Sequence, residues 1–376
     1  MDVLLSQGRE QDGGTGTVPG RGQHPPRSGR TDGSVVGPRG GRNPDGTPRF
    51  DQPVPPGGYL WWYVDGVSDC GRHGITIIAF VGSVFSPYYH WARSRADGQA
   101  DPEAHCCINV ALYSPGARRW TMTERGRGHM ERDAQHFRVG PSELRWDGDA
   151  LVIDIVEWSN PLPRRVRGSV RLQAPRFFGY QTPLDPGGRH RWGPLAPSAR
   201  IEVAFTEPQL RWEGEGYLDS NEGDESIEDP FHEWDWSRAP LSDGSTAVIY
   251  DVRDRIKQAD GASAATQVAS ADAGSQGRLI ALRFTPQGTV EPFDPGPRRA
   301  LRAGLWGVGR SIRSDEGAPA ARVHRTLEDT PFYMRSMVSQ RLLGEDVIAM
   351  HETLYVPRLR SGLVRLMLPW RMPRLR

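Results

Sequence analysis

With 376 residues, 47 basic and 46 acidic side chains and a net charge of +1, the chain is long enough for two domains and carries no global field that would select nucleic acid. Its 44 glycines, 32 prolines and 12 tryptophans suit a turn-rich, aromatic β protein better than a helical bundle. Cys70, Cys106 and Cys107 form neither a disulfide framework nor a thiolate metal spacing, which points to a reduced compartment.

Residues 1 to about 48 are rich in Gly, Arg, Pro and Ser and almost free of aromatics, which predicts a disordered tail. The opening MDVLLSQGRE has too short an apolar run for a secretory signal. From Phe50 the texture changes to short β-rich runs: Tyr59–Val64, Gly74–Val84, His105–Ser114, Trp120–Arg125, Glu143–Trp146 and Ala150–Trp158. Asp147-Gly148-Asp149 reads as the tight turn of a hairpin. The series continues through Arg165–Gln173, Ala199–Phe205, Glu207–Tyr217, Ser245–Arg253 and Arg278–Pro286. Strands at this spacing predict barrels or sandwiches in an all-β fold. Two units of similar size are expected, over 49–212 and 213–376, with a flexible Ala/Ser/Gly insertion at about 255–277. No apolar run is long enough to span a bilayer as a helix, ITIIAFVG (75–82) being only strand length. The end of the chain, Leu363–Arg376, mixes Leu, Met and Trp with arginines, which fits either contact with a membrane surface or a last strand with a frayed basic end.

Residues 213–238, EGEGYLDSNEGDESIEDPFHEWDWSR, combine carboxylates, glycines and aromatics. Such a mixture makes a poor core, because buried carboxylates are costly unless paired or protonated. In an extended chain His232, Trp234 and Trp236 point to one face, and Glu233 and Asp235 to the other. The two tryptophans then belong either to a core or to a pocket. Asp219–Glu225 reads as an acidic loop, on the surface or lining a site. In the run TAVIYDV, Asp251 shares a face with Ala247 and Ile249, while Tyr250 faces the opposite way. A carboxylate among apolar neighbours sits at a wet strand end or in an apolar pocket that raises its pKa. Only a bulge would bring Tyr250 and Asp251 into one pocket. No histidine or cysteine spacing suggests a metal, and no nucleotide-binding loop occurs in a strand–helix setting.

The blocks GEGYLDSNEG (214–223), FHEWDWSR (231–238), LYSPGARRWTMTER (112–125), VGPSELRWDGDALVIDIVEW (139–158) and TPFYMRS (330–336) carry a resemblance. On these residues the chain, from about 48 onward, resembles the bacterial carotenoid 1,2-hydratases, also called hydroxyneurosporene synthases. The resemblance implies two lipocalin-like antiparallel β-barrels. It implies cofactor-independent addition of water to the terminal C1–C2 double bond of acyclic carotenoids such as neurosporene or lycopene. It also implies a place in phototrophic bacteria, peripherally on the cell membrane where such substrates dissolve.

That reaction needs a neutral acid to protonate the alkene, aromatic faces to stabilise a tertiary cation, and a group to position water. The corresponding assignment is Asp251 as acid, Trp234 and Trp236 beside the cation, and His232 at the water. Asp235 and Asp219 are reserve acids, and Tyr250 is a further catalytic candidate. Trp236, Tyr217, Phe231 and Asp219 are expected to contact substrate. A non-catalytic lipocalin-like carrier of an apolar ligand is the alternative. A glycoside hydrolase, with paired carboxylates and stacking tryptophans, is the third reading.

Overall fold

The computed structural model describes residues 41–255 and 277–375. The expected flexible insertion and most of the expected disordered tail lie outside them. Residues 41–48 were included in that tail, but they pack onto the body. Asn43 and Thr47 are buried, and the Trp146 indole N–H donates to the Pro48 carbonyl at 2.7 Å.

Two antiparallel sheets make up the all-β, lipocalin-like body. At the centre of the first, Tyr59–Ser68 lies between Gly74–Val81 and Gln209–Gly223, and the latter pairs in turn with His190–Glu207. In the second, Phe231–Pro240 lies between Thr246–Asp254 and Glu345–Tyr355, followed by Tyr333–Leu342. The expected division at 212/213 falls inside the Gln209–Gly223 strand; the chain passes between sheets at 224–230. The predicted hairpin is present, with Asp147 opposite Ala150 and Gly148 at φ 62°, a left-handed conformation that glycine adopts cheaply.

The run YLWWYV is continuously apolar because both of its faces are covered. Leu60, Trp62 and Val64 enter the first sheet's own core. Tyr59, Trp61 and Tyr63 face a second cluster that also contains Trp234, Trp236 and Tyr250. Alternation thus dedicates one face of the strand to its own sheet and the other to the space between the sheets.

A buried ion pair ties the sheets together. Arg238 Nε donates to the Asp65 carboxylate oxygens at 2.9 and 3.0 Å, and neither side chain is exposed. Asp65→Asn leaves a buried guanidinium without its counter-charge. The expected cost is about 3–5 kcal/mol in a denaturant titration, whereas replacing both partners by apolar residues is expected to cost much less.

The end of the chain is helical over Gly362–Arg371, where a strand was one of the expectations. Val364 and Leu368, four residues apart, are buried on one side; Leu363, Leu366, Met367 and Trp370 are exposed. Beyond it, Arg374–Leu375 pairs in parallel with Glu124–Arg125 of the first half.

Candidate active site

Three strand rows build the site from the first sheet. Tyr217, Asp219 and Asn221 occupy alternate positions of one strand and therefore one face. Asp65, Tyr63 and Trp61 lie directly opposite them on the neighbouring strand. Trp192 comes from the strand on the other side. From the second sheet, Tyr250, Trp236 and Glu352 form a cross-strand row, with Trp236 paired to both of the others. Trp61, Tyr63, Trp192, Asp219, Asn221, Trp234, Trp236, Tyr250 and Glu352 line one small pocket of about 40 Å³, room for about one or two water-sized groups.

Aromatic rings crowd the pocket. Trp236 lies edge-on to Tyr63 at 5.4 Å and to Tyr217 at 5.3 Å between centroids. Tyr250 packs 5.2 Å from Trp192 and 6.0 Å from Trp234. Such rings present electron-rich faces to a cation, and none competes with it as a nucleophile of carboxylate strength.

Asp219 is the unusual group. It is buried and faces no guanidinium among the described residues. Its Oδ2 accepts from the Trp192 indole N–H at 2.8 Å and the Tyr217 hydroxyl at 2.9 Å. Its Oδ1 is buried with no protein partner. Burial pushes its pKa up to about 8 against the two hydrogen bonds, with help from the nearby Glu352 and Asp65 carboxylates. At neutral pH the carboxyl is mainly protonated. With both donors directed at Oδ2, the acidic hydrogen belongs on Oδ1.

Glu352, the second carboxyl of the pocket, has a different setting. Its Oε1 accepts from the Tyr63 hydroxyl at 2.6 Å and from Arg335 Nε at 2.6 Å. Arg335 is wholly buried beneath the Tyr63, Tyr113 and Tyr333 rings.

The structure separates the expected site residues into two groups. Trp234, Trp236 and Tyr250 line the pocket, Tyr217 holds Asp219, and Phe231 packs on Trp234 and on His190. Asp251, expected as the acid, is not in the pocket. The strand alternates without a bulge at this point, so Asp251 faces away from Tyr250 and is ion-paired to Arg313 at 2.7 Å. Asp235 shares that opposite face. Burial would raise its pKa, but contacts from His351 and Thr353 and the Arg298 charge hold it below the usual range, so it is a poor proton donor. His232 is out of phase with the tryptophans because the ladder slips between Phe231 and Glu233, and its ring packs on Tyr355 at 5.2 Å.

Trp192 and His190 were not among the expected residues. The His190 imidazole is buried, with Nδ1 2.8 Å from the Tyr59 hydroxyl. Burial lowers its pKa to about 4, so it stays neutral at working pH. The spacing His190-x-Trp192, like Tyr217-x-Asp219, is a period-two signal that alternation could have picked out.

A wider cavity of about 290 Å³ adjoins the pocket. Ile78, Phe85 and Tyr333 line both spaces, so the two meet at these side chains. The wide end is walled by Trp120, Met122, Phe332 and Leu368 and opens between Trp306, Met367 and Trp370. A largely apolar cavity thus lies between the C-terminal helix and the pocket that holds Asp219.

Residues 77–376 match the family model described as carotenoid hydratase CrtC. The chain belongs to the carotenoid hydratase family. The acyclic carotenoid 1,2-hydratase of Rubrivivax gelatinosus is 55% identical over 374 residues, covering 100% of this chain and 87% of that protein. The enzyme of the same name from Thiocapsa roseopersicina is 48% identical over 375 residues, again 100% of this chain and 87% of the other. That from Rhodobacter capsulatus is 37% identical over 303 residues, 79% of this chain and 97% of the relative. Among solved structures, a putative AttH from Nitrosomonas europaea superposes with a TM-score of 0.54 at 16% identity, covering 79% of this chain and 92% of that one. At that identity the likeness concerns the fold alone. As a member of the family the chain is a hydratase.

Proposed function

We infer that the chain hydrates the terminal C1–C2 double bond of acyclic carotenoids such as neurosporene and lycopene, in bacterial carotenoid biosynthesis, with Asp219 as the acid. The observation that carries the reading is a buried carboxyl with no cationic partner among the described residues and one unpartnered oxygen, its pKa raised by burial, inside an aromatic pocket beside a larger apolar cavity. The proton on Asp219 Oδ1 passes to C2 and leaves a tertiary cation at C1. The Trp192, Trp234 and Trp236 rings stabilise it, each by about 0.5–2 kcal/mol. Water then adds to C1. Trp192 and Tyr217 stabilise the Asp219 carboxylate that proton transfer leaves behind. Tyr250 takes a place beside the cation, since burial keeps its phenol neutral by raising its pKa. Each of these steps uses side chains alone, so no cofactor enters the proposal. Purified protein mixed with dispersed lycopene, without metal or nucleotide, is expected to give a product one water heavier. Stoichiometric binding without a mass change would favour the carrier reading instead.

The substrate dissolves in lipid, and we place the protein peripherally on the membrane through its C-terminal helix. No helix among the described residues is long and apolar enough to cross a bilayer. The support is local: Leu363, Leu366 and Trp370 are each 70% exposed or more, on the helix whose Val364, Met367 and Leu368 wall the wide cavity, with Arg360 and Arg371 nearby. Replacing Leu363 and Leu366 together by Asp removes apolar area worth about 1.5–3 kcal/mol per side chain. Cosedimentation with anionic phospholipid vesicles should then weaken at least about tenfold, while turnover of detergent-dispersed substrate is retained. Unchanged cosedimentation would place the contact elsewhere.

A further inference from the structure

Hydration moves two protons. One goes from the acid to carbon, and one leaves the water that adds. Asp219 accounts for the first, and the group that takes the second must lie in the same pocket on another side of the substrate's end. We infer that Glu352 is that base, and that the pocket works with two carboxyls in opposite states.

The placement carries the inference, which rests on the reading of Asp219 as acid. Tyr63 lies directly opposite Asp219 in the first sheet, and its hydroxyl crosses to Glu352 of the second sheet at 2.6 Å. Asp219 and Glu352 therefore line the same pocket from facing sheets. Asp219 has only neutral donors on it. Glu352 is ion-paired to Arg335, a guanidinium 1% exposed. Two carboxyls in one pocket, one without a cation and one with it, divide into acid and base. The Tyr63 and Arg335 donors both engage Oε1 of Glu352, and Oε2 has no partner among the described residues, so it is the oxygen available to water.

The steps balance without any further reactant. The Asp219 O–H bond breaks as the alkene's π pair takes the proton at C2. A water lone pair forms the C–O bond at C1. The O–H bond of that water breaks, and its proton goes to Glu352 Oε2. The alcohol leaves Asp219 as carboxylate and Glu352 as carboxyl, and one proton passing from Glu352 to Asp219 restores the starting state.

The test is turnover in D2O, with mass analysis of both product and recovered carotene. Without the base, the cation returns a proton to Asp219 and regenerates alkene. Glu352→Gln is therefore expected to lose hydration about 100-fold or more while deuterium still enters the recovered substrate. That exchange also reports a folded variant with a working acid. Glu352→Ala, which opens space beside Arg335, is expected to regain hydration at least about tenfold with added formate. Hydration by Glu352→Gln within about threefold of the parent would overturn the inference. So would loss of exchange together with hydration, or failure of formate to rescue. Asp219→Asn is expected to abolish both exchange and hydration; if it still exchanges, the acid reading fails, whatever Glu352 does.

Discussion

Asp219→Asn is expected to reduce carotenoid hydration at least about 100-fold, and up to about 10⁴-fold, measured as product formed per enzyme at neutral pH. The amide keeps the shape of the carboxyl and can still accept from the Trp192 indole and the Tyr217 hydroxyl, so substrate binding is expected to change little. What it lacks is a transferable proton at the position of Oδ1. The control is Asp251→Asn. Asp251 is held by Arg313 on the other face of its sheet, so this variant is expected to retain activity within a few-fold. The pair is largely shielded from water, so this variant is expected to lose about 1–3 kcal/mol of stability while keeping its activity. Equal loss in both variants would mean that the pocket geometry does not decide which carboxyl works.

The same substitution is expected to stabilise the protein. In the unfolded chain Asp219 titrates near pH 4, and in the folded protein near pH 8. The folded state thus binds the extra proton, so the group costs no stability below pH 4. The penalty grows as pH rises from 4 to 8 and is constant above. At pH 7 it reaches about 4 kcal/mol, at about 1.4 kcal/mol for each unit between the unfolded pKa and the pH. Asp219→Asn, which has no charge to bury, is expected to unfold at higher denaturant concentration than the parent at pH 7–8, with the difference vanishing near pH 4. The alkaline limb of activity follows the same titration in the parent. Turnover depends on the protonated carboxyl, so it is expected to fall as pH rises through about 8. An acid tuned for catalysis in this way weakens the fold that holds it.

Much of this arrangement was legible in particular residues. Alternation correctly put Trp234 and Trp236 on one face and Asp235 on the other, and it correctly separated Tyr250 from Asp251. It could not say which face of TAVIYDV met the pocket, because apolar residues occupy both faces. Ala247 and Ile249 pack in the second sheet's own cluster, whereas Val248, Tyr250 and Val252 meet the first sheet. The expected acid, Asp251, therefore lies on the face turned away from the pocket. Asp219 was within sight but undervalued for another reason. The acidic run Asp219–Glu225 resembles a loop by composition, yet the strand continues to Gly223, since cross-strand partners at Tyr59 and His190 extend it. It is buried beside Trp192 of the neighbouring strand, in a pocket that Trp234, Trp236 and Tyr250 of the other sheet help to line. Composition also could not reveal the bulge that turns His232 away, nor the helix at Gly362–Arg371, whose leucines serve two faces.

Infrared spectroscopy of the carboxyl groups tests the central claim most directly. The parent at pH 7 should show a protonated carboxyl C=O band that is missing from Asp219→Asn and that fades, together with turnover, as pH passes through about 8. A parent spectrum at pH 7 with no such band, or full turnover persisting after the band has gone, would contradict the assignment.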